Sequence, residues 1–204
     1  MAESKFKSFK SQLGSVLVMP ESMADEYSYE LKVPRDRVAV LIGKGGETKK
    51  QLEHLTSTRM DVDSTEGDVT ITGTDALSLY TAREVVRAIA RGFSPETALL
   101  LLKQDYALEV INISSYAKTQ NDFVRLRGRV IGEEGKSRRI IEELTGVFLS
   151  VFGKTVALIG SYDGLNIARK AVDMLLSGTL HATVYRYLEK HHKFLKRGEW
   201  SEPV

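Results

Sequence analysis

An α+β fold of two tandem β-α-α-β-β-α modules is what this sequence predicts, and three observations carry the prediction. A glycine loop between two short helical stretches occurs twice, its flanking residues recur at one spacing, and both copies pass through the same series of hydrophobic periods. Val40-Leu41-Ile42-Gly43-Lys44-Gly45-Gly46 returns as Arg129-Val130-Ile131-Gly132-Glu133-Glu134-Gly135, a shift of 89 residues. At that shift Leu52 matches Ile141, Glu53 matches Glu142 and Thr56 matches Thr145. Two residues then drop out, and Thr70-Ile71-Thr72-Gly73 falls on Ala157-Leu158-Ile159-Gly160. Gly92 falls on Gly178, and Thr97 on Thr183 in the segment that follows.

The elements follow in order. Tyr27–Val33 alternates apolar and polar residues, as a strand does, and Pro34 ends it. Arg35–Ile42 predicts a short helix, broken by Gly43–Gly46, and Glu47–Leu55 a second one. Arg59–Asp63 and Asp68–Thr72 are strands joined at Glu66-Gly67. Asp75–Arg91 is a long amphipathic helix with Leu79, Ala82, Val86 and Ile89 on one face and Gly92 at its end. Ser94 and Pro95 open an extra helix, Glu96–Asp105. The second copy has a strand at Ala107–Ser114, helices at Gln120–Ile131 and Ser137–Thr145, and strands at Val147–Phe152 and Thr155–Ile159. A long helix, Gly164–Leu176, and a final one, Ala182–Lys196 with Tyr185, Leu188 and Phe194, complete it. The expected domains are 27–106 and 107–204, each with its following helix, after a partly ordered arm at 1–26.

Composition narrows the function classes. Among 204 residues there are 29 Lys and Arg against 27 Asp and Glu, a net charge of +2, so bulk electrostatic wrapping of nucleic acid is not expected. The absence of cysteine excludes disulfides, cysteine-ligated zinc, iron–sulfur clusters and thiol catalysis. No apolar run nears the roughly 20 residues of a membrane span, and the lysines near the N-terminus precede no apolar core. A cytoplasmic protein with no membrane partner is the expectation. The charge is locally sorted: Arg125, Arg127, Arg129, Lys136, Arg138 and Arg139 stand against only Glu133 and Glu134.

An Ile-Gly-x-x-Gly loop between two short helices, inside a β-α-α-β-β-α module, resembles the type I KH domain of RNA-binding proteins. The resemblance covers about 170 residues. The tandem copies, the helix after each, and the Gly-Lys-x-Gly loop look most like the archaeal partner-of-NOB family, two-KH proteins of small-subunit ribosome maturation. The run Arg125-Leu126-Arg127-Gly128-Arg129-Val130-Ile131-Gly132 is similar to that family's corresponding stretch. Most KH domains place isoleucine three residues after the last loop glycine; Lys49 and Arg138 stand there instead, as is typical of this family.

The resemblance implies single-stranded RNA as ligand, from the 3′ region of small-subunit rRNA, and a role in ribosome assembly or rRNA processing. It implies two protein partners, the NOB endonuclease and the alpha subunit of translation initiation factor two. The chemistry agrees. Glycine lets backbone approach a phosphate, and a loop opening a helix presents free N–H groups to it. KH loops clamp about four nucleotides whose bases lie on an apolar groove. Val40, Ile42 and Val62 would line the first groove, and Val130, Ile131 and Val151 the second. The first clamp would be Gly43, Lys44, Gly45 and Gly46 with Lys49 and Lys50. The second would be Gly132, Glu133, Glu134 and Gly135 with Lys136, Arg138 and Arg139, supported by Arg125, Arg127 and Arg129. Glu133 and Glu134 leave two readings open: they point outward while the flanking cations dominate, or this copy is a structural or protein-binding module that has lost RNA affinity.

Rival chemistries are weaker. Gly132–Ser137 imitates a P-loop ending but has Val130 where that motif needs glycine. Asp61 and Asp63 alternate on a strand without an obvious third metal ligand. His191 and His192 diverge around a helix expected to be solvated, and Tyr185 and Tyr187 are expected to pack. No catalytic residue, metal or cofactor is expected. The alternative to an RNA-binding protein is a protein–protein adaptor whose KH folds no longer bind RNA.

Overall fold

A computed structural model describes residues 27–197; the expected arm at 1–26 and the side chain of Phe194 lie outside the described residues. The first module runs β1 (Tyr27–Lys32), α1 (Arg35–Ile42), α2 (Glu47–Thr56), β2 (Arg59–Val62), β3 (Asp68–Gly73) and α3 (Ala76–Ala90), with a short α4 (Pro95–Ala98) after it. The second runs β4 (Tyr106–Asn112), α5 (Gln120–Ile131), α6 (Lys136–Thr145), β5 (Phe148–Phe152), β6 (Thr155–Ser161) and α7 (Tyr162–Leu176), then α8 (His181–Arg197). Each sheet is antiparallel with its last strand in the middle, in the orders β1-β3-β2 and β4-β6-β5.

The matched residues of the repeat do matched work. Leu52 and Ile141 are fully buried core. Glu53 Oε1 accepts from the Met60 N–H at 2.7 Å, and Glu142 Oε1 from the Leu149 N–H at 2.8 Å, so each module pins its outer hairpin strand to its second helix. Thr56 and Thr145 donate their buried hydroxyls to Leu52 O and Ile141 O, and Thr56 Oγ1 also lies 2.7 Å from Thr58 Oγ1, so both are satisfied. Both long helices end on a left-handed glycine, Gly92 at φ +99 and Gly178 at φ +96. The Phe93 N–H reaches back to Ala88 O and the Thr179 N–H to Met174 O, the closing bond of a Schellman motif.

An arginine holds each of these helix ends from a different place on the facing helix. Arg37 donates to Ile89 O at 2.9 Å and to Phe93 O; Arg129 donates to Leu175 O at 3.0 Å and Thr179 O at 2.6 Å. Arg129 matches Val40 in the repeat, so the same two carbonyls are reached from positions one helical turn apart. Charge-assisted, bidentate and half-buried, this contact contributes about 2 kcal/mol. Arg129→Met is therefore expected to lower the thermal midpoint by roughly 4–8 °C. Arg129→Lys should restore little of it, because an ammonium cannot span both carbonyls.

Four expectations change. The helix foreseen at Glu96–Asp105 is only Pro95–Ala98, followed by a 3-10 turn at Leu99–Leu102. Tightening there turns consecutive leucines onto the second module. Val130, expected to line a groove, is wholly buried core, as is its counterpart Leu41. The last helix is not simply solvated: Val184 and Leu188 are completely buried, and the His192 ring N–H donates to Leu144 O at 2.8 Å. The foreseen strand to Ser114 also stops at Asn112, whose side chain accepts from the Ser114 N–H and starts a 3-10 turn.

The two modules share one apolar contact. Ala157 and Ile159, on the outer face of the second sheet, belong to the same buried cluster as Ala98, Leu101 and the first module's core. Leu108 and Val110 pack against that cluster beside Leu99 and Leu100. The other face of β6, with Val156 and Leu158, packs on α5–α8. Residues 155–160 are consequently buried on both faces. The same positions in the first sheet are Thr70 and Thr72, which keep some solvent exposure. Ser150 Oγ, reaching across, donates to Arg91 O at 3.0 Å.

Candidate nucleic-acid interface

The two glycine loops have nearly one backbone. Gly43 lies at φ 74, ψ 178 and Gly132 at 75, 173; Gly45 at 62, 19 and Glu134 at 50, 27; Gly46 at 81, 13 and Gly135 at 77, 13. The first glycine is required by contact as well as by dihedral. A Cβ on Gly132 would stand 2.6 Å from the Ser137 nitrogen and 2.7 Å from its Cβ, and one on Gly43 would collide with Thr48. The last glycine is the left-handed N-cap of α2 or α6, and no side chain caps either helix. First-turn N–H groups are thus open to an anion, with the helix dipole behind them.

Glu134 is the exception, a non-glycine residue in the left-handed region. That conformation costs about 1 kcal/mol. Arg139 donates to the Glu134 carbonyl at 2.9 Å and so braces the strained residue. Glu133 and Glu134 are both solvent-exposed.

The expected cations divide into free and engaged sets. Lys44 and Lys50 are exposed and Lys49 half-buried beside the first loop, and none makes an ion pair among the described residues. Lys136 and Arg127 are likewise unpaired there in the second module. Arg138 is paired with Glu142 at 3.2 Å and Arg125 with Asp122 at 3.0 Å, both exposed and screened, so they remain exchangeable for phosphate. Arg129 is committed to the helix end described above, a positioning role that the sequence pattern did not reveal. Arg37, its counterpart, was missed for the same reason: a guanidinium that caps a remote helix looks like any surface cation in sequence. Ile42, Val40, Val62, Ile131 and Val151 are half-buried, exposing an apolar strip beside each loop.

The helix presenting Arg125, Arg127 and Arg129 starts on a capping box. Thr119 Oγ1 accepts from the Asp122 N–H, and the Asp122 carboxylate accepts from the Thr119 N–H. The Arg125 guanidinium, then the Thr119 hydroxyl and amide, hold the Asp122 carboxyl at about 2, below its ordinary 3.8. Since the folded value is the lower one, the box stabilises the fold fully above about pH 4 and loses that effect as pH falls toward 2. A carboxyl-detected NMR titration is expected to place the Asp122 midpoint near 2, and Arg125→Met to move it upward.

The rival chemistries find little support in the geometry. Asp61 lies on the outer sheet face opposite Thr70, whereas Asp63 accepts from the Thr65 N–H at 2.7 Å and the Glu66 N–H at 3.3 Å and shapes the hairpin turn. Among the described residues no three His, Asp or Glu side chains converge as a metal site requires. Gly132–Gly135 joins helix to helix, not strand to helix as a P-loop does. No described helix is long and apolar enough to cross a membrane.

Two β-α-α-β-β-α modules, each with an open Gly-x-x-Gly turn between its first two helices, define a tandem type I KH protein. Residues 28–88 match the KH domain family, and residues 107–193 match that of the PNO1 second KH domain, described as a eukaryotic-type KH domain of type I. A KH domain-containing protein of Methanocaldococcus jannaschii is 50% identical over 174 residues, 83% of this chain and 76% of that one. The crystal structure of Dim2p from Pyrococcus horikoshii aligns with a TM-score of 0.76 at 46% identity, over 80% of this chain and 99% of that one. Dim2p in a complex with a/eIF2alpha and rRNA, from the same organism, aligns at 0.78 and 46%, over 83% and 96%. A protein of unknown function from Aeropyrum pernix aligns at 0.80 and 37%, over 85% and 94%. This chain belongs to the two-KH-domain family of archaeal Dim2p, the partner-of-NOB (PNO1) family.

Proposed function

We propose that this protein binds single-stranded RNA from the 3′ end region of small-subunit rRNA and acts in ribosome assembly or rRNA processing. It is a binding protein and not an enzyme. The observation that carries the reading is the shared backbone of the two loops, which keeps the phosphate-facing geometry even where glutamates replace lysine and glycine. Both modules then grip RNA, each through loop amides, neighbouring cations and an apolar strip for the bases. Its protein partners, on this reading, are the NOB endonuclease and the alpha subunit of translation initiation factor two. The Pyrococcus relative captured with a/eIF2alpha and rRNA supports the second partner and the ligand.

The test is binding of the full chain to a short oligonucleotide from that rRNA end and to the same composition scrambled. Tighter binding to the first is expected, weakening steeply with salt. An RNA-independent adaptor would bind neither, yet would still capture a partner protein.

A further inference from the structure

The second module carries a cleft on the far side of its loop helix. Arg125, Gly128, Arg129 and Gly132 recur at i, i+3, i+4 and i+7 along α5 and form one stripe. Ile131, part of the apolar strip, lies on a different one. The stripe faces the start of α8, and the two border an open cleft of about 420 Å³, within the size range of small-ligand sites. His181 fixes the geometry: its Nε2–H donates to Arg129 O at 2.9 Å, satisfying an end carbonyl of α5. The Tyr185 ring stands edge-on to it, 6.0 Å away between centroids. The corresponding stretch after the first module begins the short α4, so no such wall exists there.

Gly128 is the independent clue. It sits inside a helix, where glycine is the poorest residue short of proline. A Cβ there would meet nothing within 4 Å, so packing within the chain does not call for glycine. The first module has Ala39 at the same place. The bare backbone forms the cleft floor, flanked by the cations Lys136 and Arg125.

We propose that this cleft holds one further nucleotide of the RNA, next to those clamped by Gly132–Gly135. The sugar-phosphate backbone passes over Gly128 with its phosphate on Arg125 and Lys136. The base rests on Tyr185, with the Glu133 carboxylate as acceptor for a base amino group. Glu133 thereby gains a role that phosphate contact denies it. The proposal rests on the RNA-binding reading above.

The test uses the full chain with Lys44→Asp and Gly45→Asp, so that the second module alone is read, against RNAs of four and eight nucleotides. Gly128→Leu and Tyr185→Leu are each expected to weaken the longer RNA about tenfold and leave the shorter one unchanged. Gly128→Ala should raise the thermal midpoint while weakening the longer RNA, a pairing that misfolding cannot produce. If all three variants bind the longer RNA like the parent, the cleft proposal falls and the RNA-binding reading stands. A parent that binds neither RNA overturns both for this module.

Discussion

Replacing Lys44 and Gly45 together by aspartate is expected to lower RNA affinity about a hundredfold, equivalent to about 2.7 kcal/mol. The change removes one free cation and puts two carboxylates where a phosphate would sit, and in a tandem binder the loss of one module's grip multiplies through the linkage. The fold should survive it. Gly45 lies at φ +62, but a Cβ there meets nothing within 4 Å. The second module already carries a glutamate at this position, at φ 50. Unchanged thermal unfolding with a collapsed affinity, and a salt slope shallower by about one, would assign the loss to the clamp. Affinity that stays within twofold would remove the first loop from the interface. In the second loop, where Glu133 and Glu134 already stand at those two positions, Glu134→Asp with Gly135→Asp tests the clamp. Glu134→Gly should act oppositely, relieving both the left-handed strain and a negative charge, and is expected to tighten binding a few-fold.

Giving the second sheet the first sheet's outer face is expected to be the most damaging change to stability. Ala157→Thr with Ile159→Thr restores the residues found at Thr70 and Thr72. In the first module those positions keep access to water; here both are fully buried against Leu101 and Ala98. Two hydroxyls would enter an apolar contact without partners, and Ile159 would lose packed carbon besides. The cost is about 2–4 kcal/mol. Calorimetry should show the midpoint fall by roughly 5–15 °C and the single transition separate into two. A single, unshifted transition would show that this contact does not couple the modules.

The architecture was legible because the repeat supplies its own control. Each residue matched across the 89-residue shift has a local duty that any copy must perform: Leu52 and Ile141 fill a core, Glu53 and Glu142 hold a strand, and the glycines turn a loop. Local rules read such duties well, since they depend on spacing and residue type alone. The candidate loops and the cations beside them were legible on the same grounds, whereas the half-buried strip residues came only from the resemblance to KH domains. Arg129, Val130 and His192 were not. Which carbonyl a guanidinium reaches, or which side of a helix meets the core, depends on elements tens of residues away. Arg129 reaches Leu175 and Thr179, and His192 reaches Leu144.

By itself, then, the sequence determined two KH modules, their glycine loops, and the sorting of cations around them. Tertiary structure alone decided how the modules sit. One hint was present: Val156-Ala157-Leu158-Ile159 is apolar throughout where Val69-Thr70-Ile71-Thr72 alternates, and an unbroken apolar strand is covered on both faces. The pattern says that the outer face is buried but not by what. Leu99–Leu102 takes that place only because the segment after α3 tightens into a 3-10 turn and presents its leucines to β6. Burial is non-directional, so the partner of an apolar face is settled by shape and chain geometry, which no local pattern encodes.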